Sequence, residues 1–317
     1  MSVAPSVDAG APVGVALVDK PPGMTSHDVV SQARRRLGTR RIGHAGTLDP
    51  AATGLLILGV GPATRLLTHL VGLDKTYLTT IRLGTATSTD DAEGGIIDRA
   101  DPARVAAIED AAIEAAASRL TGTIDQVPSS VSAIKVAGRR AYERVRAGEE
   151  VALEPRTVTV RRFAITGVRG GPGFLDVDAV VDCSSGTYVR ALARDLGSAL
   201  GVGGHVTVLR RTAVGPFPVS GAVAPDDITP DGLLRPGAVA ASVLPSLRVA
   251  DDDALALRHG RRIRRLGGIP PLAAALDGRG DLVAVVRSDG DAIRSIMTMP
   301  APVAGPAVPD TATGETP

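Results

Sequence analysis

The order of apolar segments predicts an α+β fold: a mostly antiparallel sheet carrying helices, followed by a small β-rich domain. Three observations carry this. Strand-like and helix-like segments are intermixed without the strict alternation of a doubly wound sheet. The chain has 317 residues and is 44% hydrophobic, enough for one large core and a smaller one. A Pro- and Gly-containing stretch, Ile228 to Leu244, then interrupts the periodicity before a separate hairpin signal.

Residues 1–12 and 301–317 are small, Pro-containing and aperiodic, and are expected to be disordered tails. The large domain is expected over 13–235. It begins with a short buried strand, Val15 to Val18, and a turn at Lys20-Pro21-Pro22-Gly23. Ser26 is expected to cap a helix whose Val29, Val30, Ala33 and Leu37 share one face and which Gly38 stops. The run Leu55 to Leu58 predicts a strand, Ala63 to Leu70 a helix, and Thr76 to Leu83 a strand with alternating faces. Ala103 to Leu120 reads as one amphipathic helix ended by Gly122. Strands are expected near Ser132 to Val136, Thr157 to Thr166 and Phe174 to Val181, then a helix from Tyr188 to Leu200 with Val189, Leu192, Leu196 and Leu200 inward, and a strand from His205 to Val214. Residues 236–244 are expected to link to a domain over 245–300. There a helix, Asp252 to His259, precedes Leu282 to Val286 and Ala292 to Thr298 around the turn Ser288-Asp289-Gly290. Taken alone, this small domain fits an RNA-binding barrel or a stabilising appendage equally.

Composition excludes several kinds of chemistry. One cysteine, Cys183, allows no internal disulfide and no multi-cysteine zinc site. No apolar stretch has transmembrane length and the start lacks a signal peptide's pattern, so a cytoplasmic protein is expected. There is no Gly-Lys-Ser/Thr of a P-loop, no complete dinucleotide fingerprint, no His pair at i, i+3 or i, i+4, and no Gly-x-Ser-x-Gly elbow. Net charge is +1, yet arginines cluster at 34–36, 40–41, 139–140, 161–162, 210–211 and 261–265 while acids gather elsewhere. Such clusters suit solvated helix faces or one basic face for a phosphate backbone. Aromatics are few, with no Trp, three Phe and three Tyr, so the phenols of Tyr77, Tyr142 and Tyr188 stand out in an aliphatic core.

The densest signal is Gly43-His44-Ala45-Gly46-Thr47-Leu48-Asp49-Pro50-Ala51-Ala52-Thr53-Gly54. Its glycines permit close backbone approach, and Pro50 restricts Asp49 to an extended conformation. The Asp-Pro pair fits two readings, a helix start capped by the aspartate and a rigid loop presenting a carboxylate. With cofactor motifs missing, a carboxylate nucleophile held ionised by an arginine suits the remaining residues.

That loop resembles the catalytic-aspartate loop of the bacterial tRNA pseudouridine-55 synthases, the TruB family. Five further segments agree in order: Val18 to Ser26; Lys75-Thr76-Tyr77; Ser132 to Val136 with Gly138 to Tyr142; Cys183 to Arg190; and His205 to Thr212. The match spans most of residues 15 to 220. It implies a pseudouridine synthase fold with a PUA-like C-terminal domain that grips tRNA, and isomerisation of the T-loop uridine-55 without metal or organic cofactor. The resemblance makes Asp49 the nucleophile, Arg190 its partner, and Tyr77 the group that stacks on the flipped base and transfers a proton. It makes Tyr188 and Leu209 pocket walls, His44 a contact for displaced nucleotides, Lys20 an ordering residue and Asp91 an RNA contact, while Lys135 and Tyr142 are structural. The partner is then the tRNA T-arm, with no membrane, no obligate protein partner and a monomer as the default. A guide-directed relative normally sits in a larger assembly, and a purely RNA-binding protein needs no nucleophile. Three departures stand out: Ala45 where glycine is common, Thr87-Ser88-Thr89 in place of Thr-Asp-Thr, and Gln126 to Val131 without its second proline and aromatic.

Overall fold

The computed structural model describes residues 11–129, 135–136, 139–140, 153–264 and 270–301. Strand β1 (Gly14–Lys20) leads into helix α1 (Ser26–Leu37), which Gly38 ends in the left-handed conformation at φ 62°. The cap is Thr25 rather than Ser26: Thr25 and Asp28 form a reciprocal capping box. Ser26 instead bonds the backbone of Leu48 through its hydroxyl, accepting at 2.9 Å and donating at 3.1 Å, and so ties the helix to the Asp49 loop.

Strands β2 (Ile42–Ala45) and β3 (Thr53–Val60) flank that loop and pair with each other. The expected helix at 63–70 is a 3-10 turn (Gly61–Leu66) running into one turn of α-helix, α2 (Leu67–Leu70). Strand β4 (Lys75–Leu83) alternates as its sequence predicts. A small hairpin, β5 (Thr85–Thr87) with β6 (Ile96–Arg99), follows. The segment read as one long helix is two, α3 (Pro102–Ala106) and α4 (Asp110–Arg119), and Gly122 opens a strand instead of ending a helix. Pattern alone could not see the break, because alanine keeps helical spacing through it.

Strands β7 (Gly122–Gln126), β8 (Lys135–Val136), β9 (Arg139–Arg140), β10 (Arg156–Gly171) and β11 (Phe174–Cys183) precede helix α5 (Val189–Ala199), and β12 (Gly204–Val214) and β13 (Phe217–Pro218) follow it. Residues 132–134 and Tyr142 lie outside the described residues, as do 1–10 and 302–317 of the two expected tails. The main sheet runs β1-β3-β12-β4-β11-β10-β7, with β2 and β13 at its sides. All its pairings are antiparallel except β3 with β12, where only Thr53 and Gly54 meet Arg210 and Arg211.

Helices α4 and α5 cover one face, their Ile113, Ala116, Leu192 and Leu196 packing on Ile81, Val177 and Val181. Helix α1 packs on Val18, Leu56 and Leu58. The other side of β1 and β3, with Val15, Leu17, Leu55 and Ile57, shares a core with Leu66 and Leu70 and with the C-terminal domain. That domain is a separate five-stranded sheet, β14 (Ser246–Arg248), β15 (Ile263–Arg264), β16 (Leu272–Leu276), β17 (Leu282–Asp289) and β18 (Ala292–Thr298). The expected hairpin joins β17 to β18, but its turn is Gly290-Asp291, since Ser288 and Asp289 are still in β17 and pair with Ile293 and Ala292.

Residues 236–244, expected as a linker, contain helix α6 (Pro236–Val243), whose Val239 and Ala240 are buried among residues of both sheets. Helix α7 (Asp251–Arg258) covers the small sheet. Gly237 is where α6 meets that sheet, since a Cβ there would lie 2.1 Å from the Gly280 carbonyl oxygen. Gly237→Ala is therefore expected to cost about 1–3 kcal/mol through overpacking, read as a lower urea midpoint at unchanged slope. An unchanged midpoint would mean that α6 does not bear on the C-terminal sheet.

Candidate active site

The loop between β2 and β3 opens where β3 barely touches β12, and it leaves Asp49 at the rim of a pocket of about 270 Å³. No helix follows Asp49; the chain bends through Pro50 and Ala51 and enters β3. The capping alternative is thereby removed. Glycine is required here: Gly46 sits at φ 83° and Gly54 at φ 101°, and a Cβ on Gly54 would lie 2.2 Å from the Arg211 carbonyl oxygen. Ala45 is a buried strand residue without positive φ, so its methyl is accommodated.

Arg190, in the first turn of α5, meets Asp49 at 3.0 Å from Nε to Oδ2. The guanidinium is 6% exposed and the Asp49 side chain 45%, so the cation is fixed while the carboxylate faces the pocket. A cap is worth about 1 kcal/mol. A hydrogen bond between charged groups is worth about 1.5–3 kcal/mol, so the ion pair dominates how Asp49 is held. The same guanidinium reaches Asp91 at 3.1 Å and donates to the Thr89 carbonyl at 2.8 Å. Asp91, expected as an RNA contact, spends its other oxygen on the Thr89 hydroxyl and the Glu93 amide. It joins the site as a second carboxylate on Arg190. The altered Thr87-Ser88-Thr89 turn holds it, with Asp90 at φ 59° and paired to Arg194 at 3.2 Å.

Tyr77, Tyr188 and Leu209 line the pocket with Asp49 and Arg190. Tyr77 is buried on β4, and burial raises its phenol pKa against the opposing charge of Arg211. Tyr188 stands directly before α5. Its backbone is clamped by Gln126, whose amide accepts from the Tyr188 N–H at 2.8 Å and donates to its carbonyl at 3.1 Å. His44, on β2, is outside the pocket lining; burial and then the Arg211 charge lower its pKa.

Lys20 lies wholly buried under the loop and donates to the carbonyls of Pro21, Met24 and Pro50 at 3.0, 2.8 and 3.1 Å. It ties the Pro21-Pro22-Gly23 turn to the backbone beside Asp49. Two cations that sequence reading did not assign complete the floor. Arg211 is buried and donates to Leu55, Gly46 and Thr47 carbonyls at 2.7, 2.9 and 3.5 Å. Lys75 donates to Val71 and Leu73 carbonyls at 2.7 and 2.6 Å. Both lay in the matching segments, but nothing local distinguishes a buried cation from a surface one. Gln126 was missed for the same reason. Among the described residues no cluster of His, Cys, Asp and Glu could hold a metal ion, and no helix is long and apolar enough to cross a membrane.

Burial lowers the Lys20 pKa from 10.5 to about 8, partly offset by Asp49, and lowers Lys75 likewise to about 8. The unfolded chain thus binds more protons than the native one between about pH 8 and 10.5, and in that window these lysines make stability rise with pH. The stability of wild type relative to Lys20→Met should accordingly rise from pH 8 to pH 10 in urea unfolding. A constant difference would show that Lys20 titrates normally.

Residues 34–189 match the N-terminal domain of TruB family pseudouridylate synthase, 190–233 the C-terminal domain of tRNA pseudouridylate synthase B, and 244–300 the C-terminal region of tRNA pseudouridine synthase II. The chain is 50% identical over 292 residues to tRNA pseudouridine synthase B of Leifsonia xyli subsp. xyli, covering 91% of this chain and 97% of the relative. It is 53% identical over 272 residues to the protein of that name from Thermobifida fusca, covering 84% and 92%. In structure it is similar to a chain of the archaeal box H/ACA sRNP Nop10-Cbf5 complex, at TM-score 0.67 and 25% identity over 92% of this chain and 87% of that one. The chain therefore belongs to the TruB family of pseudouridine synthases.

Proposed function

We propose that the protein isomerises uridine-55 in the T-loop of tRNA to pseudouridine, with Asp49 as nucleophile and the uridine flipped out of its stack. The observation that carries this is the single carboxylate among the described lining residues of the pocket, Asp49, paired with a buried arginine in a lining that also holds Tyr77 and Tyr188. Isomerisation breaks the N1–C1′ bond and makes a C5–C1′ bond, while one proton leaves C5 and N1 gains one. Atoms and electrons balance within the uridine, so the protein needs only to attack, hold and move a proton. Asp49 supplies the attacking oxygen, and Arg190 holds it by the ion pair at 3.0 Å. Asp91 and Thr89 fix Arg190 in turn.

A base can reach Asp49 only when unstacked, and the surfaces of Tyr77, Tyr188 and Leu209 replace its lost stacking. Tyr77 handles the C5 proton, and His44 meets nucleotides displaced beside the loop. The reading of the small sheet as a PUA-like domain over 245–300 gives the same RNA a second contact. Two arginines of its basic run, Arg262 and Arg264, pair with Asp289 and Asp291 at 3.0 and 3.1 Å on the surface. Exposed pairs of this kind are weak enough to exchange for phosphates.

Purified protein is expected to convert the T-loop uridine of unmodified tRNA without added nucleotide or metal. Asp49→Asn should bind that tRNA with affinity within a few-fold of wild type and show no conversion. Primer extension after carbodiimide treatment reads conversion, and filter binding reads affinity. Absence of the stop with wild type, or an undiminished stop with Asp49→Asn, would sink the assignment.

A further inference from the structure

Arg190 has a neighbour with no part so far in the reaction. Arg194 follows it by four residues on α5, so the two guanidinium groups leave the same face of the helix, one turn apart. Opposite them stand two consecutive acids of the turn after β5. Arg190 meets Asp91 at 3.1 Å, and Arg194 meets Asp90 at 3.2 Å. Both acids are shielded, with side chains 15% and 12% exposed.

Consecutive residues of an extended chain point to opposite sides, so two neighbouring acids can face one helix only where the backbone turns between them. Asp90 supplies that turn. Among the described residues it is the one residue other than glycine with positive φ, at 59°, a conformation that L side chains seldom adopt and that aspartate and asparagine tolerate best. Its N–H donates to the Thr87 carbonyl at 3.3 Å, and its carbonyl accepts from the Val206 N–H of β12 at 3.0 Å. Such a conformation persists when its surroundings over-determine it. The ion pair with Arg194 adds the side chain to these backbone constraints.

Arg194 is itself held from further sides. Its Nη2 donates to the Val127 carbonyl at 2.8 Å, just past the end of β7, and its Nε donates to Asp195 at 3.0 Å. Gln126, the residue before Val127, holds the backbone of Tyr188 at the start of the same helix. The end of β7 therefore grips α5 on both sides of Arg190. With the helix held there, the Asp90–Arg194 pair fixes how far the turn stands from it, and Asp91, the next residue, inherits that spacing.

We propose that Asp90 and Arg194 are a positioning pair for the reaction: they hold Asp91 against Arg190, and through it set where the guanidinium presents Asp49. The proposal rests on the reading of Asp49 as nucleophile and gives a role to two residues outside the lining of the Asp49 pocket. A misplacement of about 1 Å can cost on the order of 100-fold in rate, and Arg190 is the group that transmits it.

The test measures kcat and KM for tRNA conversion below the unfolding temperature of every variant, with urea midpoints recorded alongside. Asp90→Gly keeps the left-handed backbone and Asp90→Asn tolerates it, while both remove the charge. Arg194→Gln removes the other partner, and Arg194→Lys keeps its charge. The three charge-removing variants should lower kcat about 10–100-fold with KM changed less than about threefold, and Arg194→Lys should recover part of the loss. Asp90→Gly with Arg194→Gln should fall no further than either alone, because the two remove one interaction. In the Asp91→Asn protein, Arg194→Gln should cost no further kcat, since the pair acts through Asp91. Arg169→Gln, which breaks an exposed ion pair with Asp178, should leave both constants unchanged. If Arg194→Gln does not fold, Asp90→Asn decides in its place, since it leaves α5 and the Val127 contact intact. Unchanged kcat in the Asp90 and Arg194 variants, a loss confined to KM, or an undiminished loss in the Asp91→Asn protein overturns the proposal. Wild type that converts no uridine overturns the reading of Asp49 and this inference with it. Conversion by wild type, none by Asp49→Asn and full kcat in Arg194→Gln overturn this inference alone.

Discussion

The buried guanidinium of Arg190 is the constraint on which the candidate site depends. It is fixed from three directions, by Asp49, Asp91 and the Thr89 carbonyl, which belong to the loop before β3 and the turn after β5. A buried arginine without carboxylates would be a heavy electrostatic cost. The pair is stable only when α5, the loop and the turn are all in place, so its geometry reports on the whole end of the sheet. Gln126 extends the same logic to β7 by clamping the backbone of Tyr188 at the start of that helix.

Around this pair the protein places three buried cations that bond backbone carbonyls: Lys20, Lys75 and Arg211. Together they anchor the Pro21-Pro22 turn, the loop before Asp49, the start of β3 and the segment after α2. Irregular backbone leaves carbonyls that no strand or helix partner satisfies, and a long cationic side chain can gather several at once. The arrangement gives rigidity where a pocket needs it. It also surrounds the pocket with positive charge, which favours an anionic substrate over the positions of the walls that Tyr77, Tyr188 and Leu209 supply.

The small C-terminal sheet is not a loosely tethered unit. Its Ala274, Leu276, Leu282 and Val285 complete the core that covers one side of β1 and β3, with α6 between. Residues 236–244 looked like a linker because a short helix with Pro at its start and Gly in its first turn carries little periodicity. The glycine is there to let α6 approach Gly280, a contact invisible without the fold.

Much of this was legible in the residues. Alternation in β4, the apolar face of α1 with Gly38 behind it, and the hairpin of β17 and β18 are local patterns, and the chain follows them because burial and backbone sterics act at that range. The crowding of glycine and proline around Asp49 likewise announced an irregular loop. Other features were decided only by tertiary structure. The cap moved from Ser26 to Thr25 because the Ser26 hydroxyl was drawn to Leu48, 22 residues away in sequence. Asp49 became a pocket group instead of a helix cap because β3 follows it immediately and Arg190, distant in sequence, holds it. Asp91 turned inward for the same guanidinium, and Arg211 and Lys75 went under the loop rather than to the surface. Each of these outcomes depends on strand register and on which carbonyls or charges a long side chain meets across the fold, and such pairings leave no periodic mark in the chain.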